Sequence, residues 1–289
     1  MSIHILTVTS PSHKEIISVL SGYLSGKCDI LDLAQFNDSN TRKFFMRASF
    51  TLKKHTCMKN FLIDFQPIIQ QFSLKISIRN AKERMKTLIL VSRFDHCLHD
   101  LLYQWNARTL AMDIAGIVSN HPIHQKLATD YQIPFYYIPI TKQNKIKCEE
   151  ELINIIEKNN VKLLILARYM QILSEKICQK MSGRIINIHH SFLPSFKGGN
   201  PYKQAYEYGV KIIGATAHYV TPALDEGPII EQDVVHITHA QNVKNYISIG
   251  RNIETKVLSN AVNAHIQHRV FINERKTVVF PTQSNDYAE

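Results

Sequence analysis

The stretch Phe72-Ser73-Leu74-Lys75-Ile76-Ser77-Ile78-Arg79-Asn80-Ala81-Lys82-Glu83-Arg84-Met85-Lys86-Thr87-Leu88-Ile89-Leu90-Val91 holds two hydrophobic patterns and the seam between them. In its first part Phe72, Leu74, Ile76 and Ile78 alternate with Ser73, Lys75 and Ser77, the period-two pattern of a strand with one face buried and one wet. In its last part residues 87–91 form a continuous apolar run, as expected of a strand covered on both faces in a parallel sheet. The polar stretch between them is where few contacts should cross. Two domains are therefore expected, at 1–80 and 87–289, with a linker at 81–86.

Upstream of the seam, residues 3–9 are β-rich, and residues 13–25 carry Ile16, Ile17, Val19, Leu20 and Leu24 at helical spacing. Residues 29–36 and 43–51 read as strands separated by the turn Asn37-Asp38-Ser39-Asn40, and residues 58–70 as a second amphipathic helix. This βαββαβ order is the ferredoxin-like arrangement, with helices over one face of an antiparallel sheet. Downstream, apolar runs at 114–118, 135–138, 163–167 and 185–188 alternate with helical segments at 98–105, 149–158 and 174–181. That alternation is the α/β pattern of a mostly parallel sheet, whose ligands sit beyond the carboxyl ends of the strands. A helix at 201–208, strands at 212–220 and 229–237, and a long helix at 242–267 complete the reading.

Composition narrows the function. The 289 residues, 45% hydrophobic and 20% charged, suit a globular protein and exclude a disordered or fibrous chain. The formal charge of +10 is dispersed, with Lys53-Lys54-His55 the nearest thing to a run, and no nucleic-acid-binding motif accompanies it; no nucleic acid partner is expected. No leader or membrane-length apolar run is evident, so no membrane association is expected. The five cysteines are odd in number, scattered and free of C-x-x-C pairs, which fits a reducing cytoplasm. The 14 histidines form no H-E-x-x-H or H-x-x-x-H pattern, and no metal is expected.

The densest polar cluster in an apolar setting is Ile185-Ile186-Asn187-Ile188-His189-His190-Ser191-Phe192-Leu193-Pro194. Strand alternation turns Asn187 and His189 to one side and Ile186 and Ile188 to the other. An asparagine amide can donate to an oxygen that becomes negative as a carbonyl turns tetrahedral, and an imidazole can exchange a proton near neutral pH. The pair needs a carboxylate to orient the imidazole. The turn Thr221-Pro222-Ala223-Leu224-Asp225-Glu226-Gly227-Pro228 offers Asp225 and Glu226, and spacing alone does not choose between them. A strand-end histidine and an acidic turn are also ordinary structural features, so spacing alone does not make a catalytic site either.

The segments Asn187-Ile188-His189-His190-Ser191-Phe192-Leu193-Pro194-Ser195-Phe196-Lys197-Gly198, Gly214-Ala215-Thr216-Ala217-His218-Tyr219-Val220 and Leu224-Asp225-Glu226-Gly227-Pro228-Ile229-Ile230 together resemble the formyltetrahydrofolate-dependent formyltransferase superfamily. The resemblance implies a Rossmann-like formyltransferase domain whose catalytic trio falls on Asn187, His189 and Asp225. His96-Cys97-Leu98, Asn120-His121-Pro122, the run Ala167-Arg168-Tyr169-Met170-Gln171-Ile172-Leu173-Ser174, Asn200-Pro201-Tyr202 and Thr277-Val278-Val279-Phe280 are similar to the superfamily's deformylase branch. Residues 1–80, including Phe44-Phe45-Met46-Arg47, resemble the ACT domain of that branch.

The reaction implied by the resemblance is hydrolysis of 10-formyltetrahydrofolate to tetrahydrofolate and formate, in one-carbon and purine metabolism, by a cytoplasmic homo-oligomer. The folate is substrate, and no cofactor is implied. Met170, Gln171, Ile172 and Leu173 match the segment lining the folate pocket and Val220 and Thr221 its other wall, although on pattern alone residues 170–173 read as a buried strand-to-helix turn. His190 and His218 either support the trio or simply fill space, and Arg168 and Lys197 either meet the folate's glutamate tail or are solvated surface charge. In the superfamily's glycinamide ribonucleotide transformylases the loop after the first strand carries glycine, so that backbone N–H groups can approach a phosphate. Here that loop is Ser92-Arg93-Phe94-Asp95-His96-Cys97, without glycine, which favours water as acceptor. The alternatives are transfer of the formyl group to an amine and a non-catalytic folate or amino-acid sensor. A Cys97–His96 nucleophile is disfavoured, because adjacent helical residues diverge. ACT domains imply an amino-acid effector, but Glu15 stands where they carry glycine, and its Cβ and charge should crowd a backbone-lined effector site.

Overall fold

A computed structural model describes residues 2–193 and 201–282. Lys197, with the motif residues around it, lies outside the described residues. The chain forms two compact units. One runs up to Glu83 and is completed by Gln267–Asn273 and the stretch that begins at Val278; the other comprises Arg84–Ile266 and Glu274–Thr277.

The first unit contains β1 (His4–Pro11), α1 (Ile16–Lys27), β2 (Cys28–Asp38), β3 (Lys43–Leu52), α2 (Met58–Gln71) and β4 (Lys75–Asn80). Its sheet has the order β2-β3-β1-β4 with every pairing antiparallel, the expected ferredoxin-like arrangement. The closing strand starts later than the alternation predicted. Ser73 adopts a left-handed φ of 50° after α2, while Phe72 and Leu74 stay in the core as the connection. On the central strand β3, Phe44, Met46, Ala48 and Phe50 pack with Leu20, Leu24, Phe61 and Phe65 of the helices. Phe45, of opposite parity, packs with Phe271 and Phe280. The buried Arg47 guanidinium donates to the Gln267 carbonyl at 3.1 Å and pairs with Asp32 at 3.4 Å. Both faces of β3 are thus covered, the second by a late return of the chain that the expected division at 81–86 omits. The returning strand at Val270–Asn273 spans only four residues, too few to carry a periodic signal.

The second unit begins with β5 (Met85–Val91), α3 (His96–Asn106), β6 (Met112–Ser119), α4 (Gln125–Asp130), β7 (Phe135–Tyr137), α5 (Lys145–Lys158), β8 (Leu163–Leu166), α6 (Glu175–Lys180) and β9 (Ile185–His189). It continues through α7 (Pro201–Glu207), β10 (Ile212–Tyr219), β11 (Ile229–His236) and α8 (Val243–Ile266). β12 (Val270–Asn273) and β13 (Lys276–Val279) then form a hairpin. The seven-stranded sheet has the order β11-β10-β9-β8-β5-β6-β7. Strands β5 to β9 are parallel, and β10 and β11 add antiparallel at one edge. β5 and β8 are uniformly buried over Leu88–Val91 and Leu163–Leu166, which is why they read as continuous apolar runs. The strand order turns back between β5 and β8, and the carboxyl ends there frame a crevice. No helix among the described residues is long and apolar enough to cross a membrane.

Candidate active site

Beyond the carboxyl ends of β8 and β9 lies a cleft of about 1010 Å³. One wall is the loop after β8, another the end of β9, and a third the turn between β10 and β11. All the sequence-derived site residues that the structure describes, Asn187, His189, His190, His218, Asp225, Met170, Gln171, Ile172, Leu173, Val220 and Thr221, border this one cleft.

The β9–β10 register sets the geometry. Asn187 lies opposite His218, and His189 opposite Thr216, so the polar side of β9 meets one histidine of its neighbour. His218 donates its Nδ1 proton to the Tyr219 carbonyl at 3.0 Å. Its Nε2 is then the acceptor of the neutral ring and takes a hydrogen bond from the Asn187 amide at 3.2 Å. Asp225 reaches across from the turn, its Oδ2 3.3 Å from His189 Nδ1 and its Oδ1 3.6 Å from His218 Nε2. The hydrogen bond from His189 is the largest of the effects that hold its carboxyl well below the usual carboxylate range, against the opposing effect of burial. Asp225 adopts φ 55°, and Gly227 closes the turn so tightly that a Cβ there would lie 1.7 Å from the Tyr219 carbonyl oxygen. The neighbouring Glu226 is exposed; Asp225 is the carboxylate that meets the imidazoles.

The loop after β8 is not the buried turn that its pattern alone suggested. Met170 is 58% exposed and Ile172 61%, so both present apolar surface to the cleft. Ser92, just past the end of β5, fixes this loop: its hydroxyl donates to Asn120 Oδ1 at 2.7 Å and accepts the Met170 N–H at 2.9 Å. Open apolar walls with a few convergent polar groups suit a flat heteroaromatic ligand.

Arg168 corrects one expectation. It is buried, its Nε lies 3.3 Å from Glu254 Oε2, and its guanidinium sits over the Phe94 ring at 5.8 Å. Breaking a buried pair costs about 3–5 kcal/mol, whereas an exposed ion pair returns about 0–1 kcal/mol. Arg168 is therefore no solvated surface charge but is held to Glu254 at the border of the cleft.

Glu254 is the group that sequence reasoning missed. It sits mid-helix on α8 at 1% exposure, where a glutamate normally signals a solvated face. Burial opposes its ionisation, but His96, Arg168 and Tyr202 together lower its pKa. The one sequence signal was the motif Asn200-Pro201-Tyr202, whose tyrosine hydroxyl donates to Glu254 Oε1 at 2.5 Å. His96 pairs with Glu254 at 2.8 Å, while Cys97 turns into the core, where burial pushes its thiol well up. The pair is thus no nucleophile–base couple. His96, Cys97 and Glu254 bring ligand-type atoms within 4.8 Å of one another, but Arg168 already balances the carboxylate and a protonated thiol is a poor ligand.

The formyl transferase family model matches residues 85–262. A formyltetrahydrofolate deformylase from Corynebacterium sp. (strain P-1) is 41% identical over 278 residues, covering 96% of this chain and 97% of the relative. The crystal structure of a formyltetrahydrofolate deformylase from Burkholderia mallei superposes with a TM-score of 0.92 at 42% identity, covering 97% of this chain and 100% of that one. A phosphoribosylglycinamide formyltransferase from Anaplasma phagocytophilum superposes with a TM-score of 0.63 at 28% identity, over 70% of this chain and 97% of that one.

Proposed function

We propose, from the premise that this chain belongs to the formyl transferase family and within it to the formyltetrahydrofolate deformylases, that it hydrolyses 10-formyltetrahydrofolate to tetrahydrofolate and formate. The observation that carries the reading is the contact of Asp225 with both His189 and His218, opposite Asn187, at the wall of a cleft large enough for a folate.

In this reading Asp225 holds the His189 ring through Nδ1 and leaves Nε2 for the substrate side. Water adds to the formyl carbon as His189 accepts its proton, and a C–O bond forms while the carbonyl electrons move onto oxygen. One Asn187 N–H is held by His218, which aims the other at that oxygen. Collapse breaks the bond between carbon and N10, N10 takes the proton from the imidazolium, and formate leaves. No metal or redox cofactor is required. Met170, Gln171, Ile172 and Leu173 face Val220 and Thr221 across the pterin slot, and His190 and His218 support the trio. The reading also includes a cytoplasmic homo-oligomer, with an amino-acid effector at the ACT-like first unit. Exposed Ile30 and Phe36 on the edge strand β2 favour pairing with a second copy.

The test is formate release from 10-formyltetrahydrofolate with no amine present. Steady turnover is expected in the wild type, and loss of at least about 100-fold in His189→Ala. Formate that appears only when an amine is added would replace this reading with the transferase one.

A further inference from the structure

Between the trio and the loop 92–97 lies a buried polar cluster that the hydrolytic steps do not use. Glu254 is its hub, held by the Tyr202 hydroxyl at 2.5 Å, His96 Nε2 at 2.8 Å and Arg168 Nε at 3.3 Å. Tyr202 fits because Gly250, one turn earlier on α8, has no Cβ; one built there would lie 2.2 Å from the phenol ring. The cluster reaches the trio through His190, whose ring centroid lies 5.2 Å from that of His189 and 6.2 Å from that of Tyr202.

His190 and Arg168 border the cleft, and no residue of the loop 92–97 does. That loop is where a transferase of this superfamily would hold its acceptor's phosphate, and here the exposed Phe94 ring lies against the Arg168 guanidinium while His96 turns inward to Glu254. A carboxylate at 1% exposure is tolerated only while its partners stay in place, so the cluster resists displacement. We propose that His190 and Arg168, backed by Tyr202 and Glu254, form a wall that closes the acceptor side of the cleft and restricts the attacking nucleophile to water. This rests on the hydrolase reading and explains how the same trio avoids formyl transfer. With an amine, nitrogen would bond to the formyl carbon, the bond to N10 would break, and the amine's proton would pass to N10; the wall denies the amine its position.

The test uses the full-length protein, 10-formyltetrahydrofolate and glycinamide as probe, reading N-formylglycinamide against formate. The wild type is expected to give formate as the dominant product. Tyr202→Ala, which removes the ring, is expected to raise the ratio of N-formylglycinamide to formate by about tenfold or more. Tyr202→Phe, which keeps the ring, should stay near the wild-type ratio. If Tyr202→Ala does not fold, Tyr202→Leu, which removes the ring but keeps apolar volume, carries the same expectation. The proposal is overturned if the variants release formate at an unchanged ratio, if Tyr202→Phe rises as much as Tyr202→Ala, or if the wild type already formylates glycinamide as fast as it forms formate. A folded alanine variant that yields neither product also overturns it, since the wall would then serve the chemistry and not the choice of nucleophile. Failure of the underlying hydrolase reading is recognised separately, by a wild type that makes no formate without amine.

Discussion

The Asn187 amide is held by a histidine, His218, that takes no part in proton transfer in the proposed mechanism. Because the His218 Nδ1 proton goes to the Tyr219 carbonyl, its Nε2 can only accept from the amide while the ring is neutral, and the second amide hydrogen is left for the substrate. Asn187→Ala is expected to lower kcat by about 100- to 1,000-fold with KM little changed, because the lost bond strengthens only as the oxygen becomes negative. Steady-state kinetics settles this: a raised KM at constant kcat would make Asn187 a substrate anchor instead. Alternation along residues 185–189 made the side shared by Asn187 and His189 legible from sequence. Spacing left Asp225 and Glu226 tied, because two adjacent carboxylates on a turn differ only through the backbone angles that aim them; the resemblance of the segment around them chose Asp225. Glu254 was illegible for another reason: only its three partners, far away in sequence, show why a charge can sit inside α8.

Among the elements, the β10–β11 turn carries the most function on the fewest residues. It sets Asp225 at φ 55° and passes Gly227 against the Tyr219 carbonyl, while the Tyr219 N–H donates to the Pro228 carbonyl at 2.9 Å to lock it. Gly227→Ala should therefore both destabilise the second unit, by about 1–3 kcal/mol, and cut turnover by pulling Asp225 from the imidazoles. Thermal unfolding and kinetics measured together test the coupling; a lowered Tm with normal kcat would show that the aspartate's position does not depend on the turn. The turn itself was legible from Gly-Pro after two acidic residues. The loop after β8 was legible only through the resemblance, because by pattern alone an apolar run such as Met170-Gln171-Ile172-Leu173 looks the same whether it fills a core or lines a cleft. Its exposure follows from Ser92 and Asn120, which hold it outward from neighbouring strand ends.

In the molecule as a whole, stability should depend on pH through histidines kept neutral by folding. Burial, aided by Arg168, lowers the pKa of His190 to about 4. Burial, aided by Arg79 and Arg47, does the same for His268 in the first unit. Between about pH 6.5 and about pH 4 the unfolded chain binds protons at these sites that the folded chain refuses. The contribution is therefore fully present above that window and is lost as the pH falls through it. The Tm is expected to drop across the window, and His268→Asn, which tolerates the left-handed φ of 56° at that site, should flatten the drop. An unchanged slope in that variant would remove His268 from the account. The two-domain order was legible at this scale because a period-two strand and a continuous apolar run flank one polar seam. The completion of the first unit was not, because Phe271 and Phe280 cover the second face of β3 from almost two hundred residues beyond that seam.

That last packing bears on how the protein is made. Phe45 and Arg47 leave the ribosome well before the residues that cover them, since Gln267 follows Arg47 by 220 residues and Phe271 and Phe280 come later still. The entire hydrolytic unit is thus an insertion within the first one. Exchanging that first unit between relatives must therefore transplant the segments on both sides of the second one, because a fragment stopping at the seam would carry a sheet with one face bare.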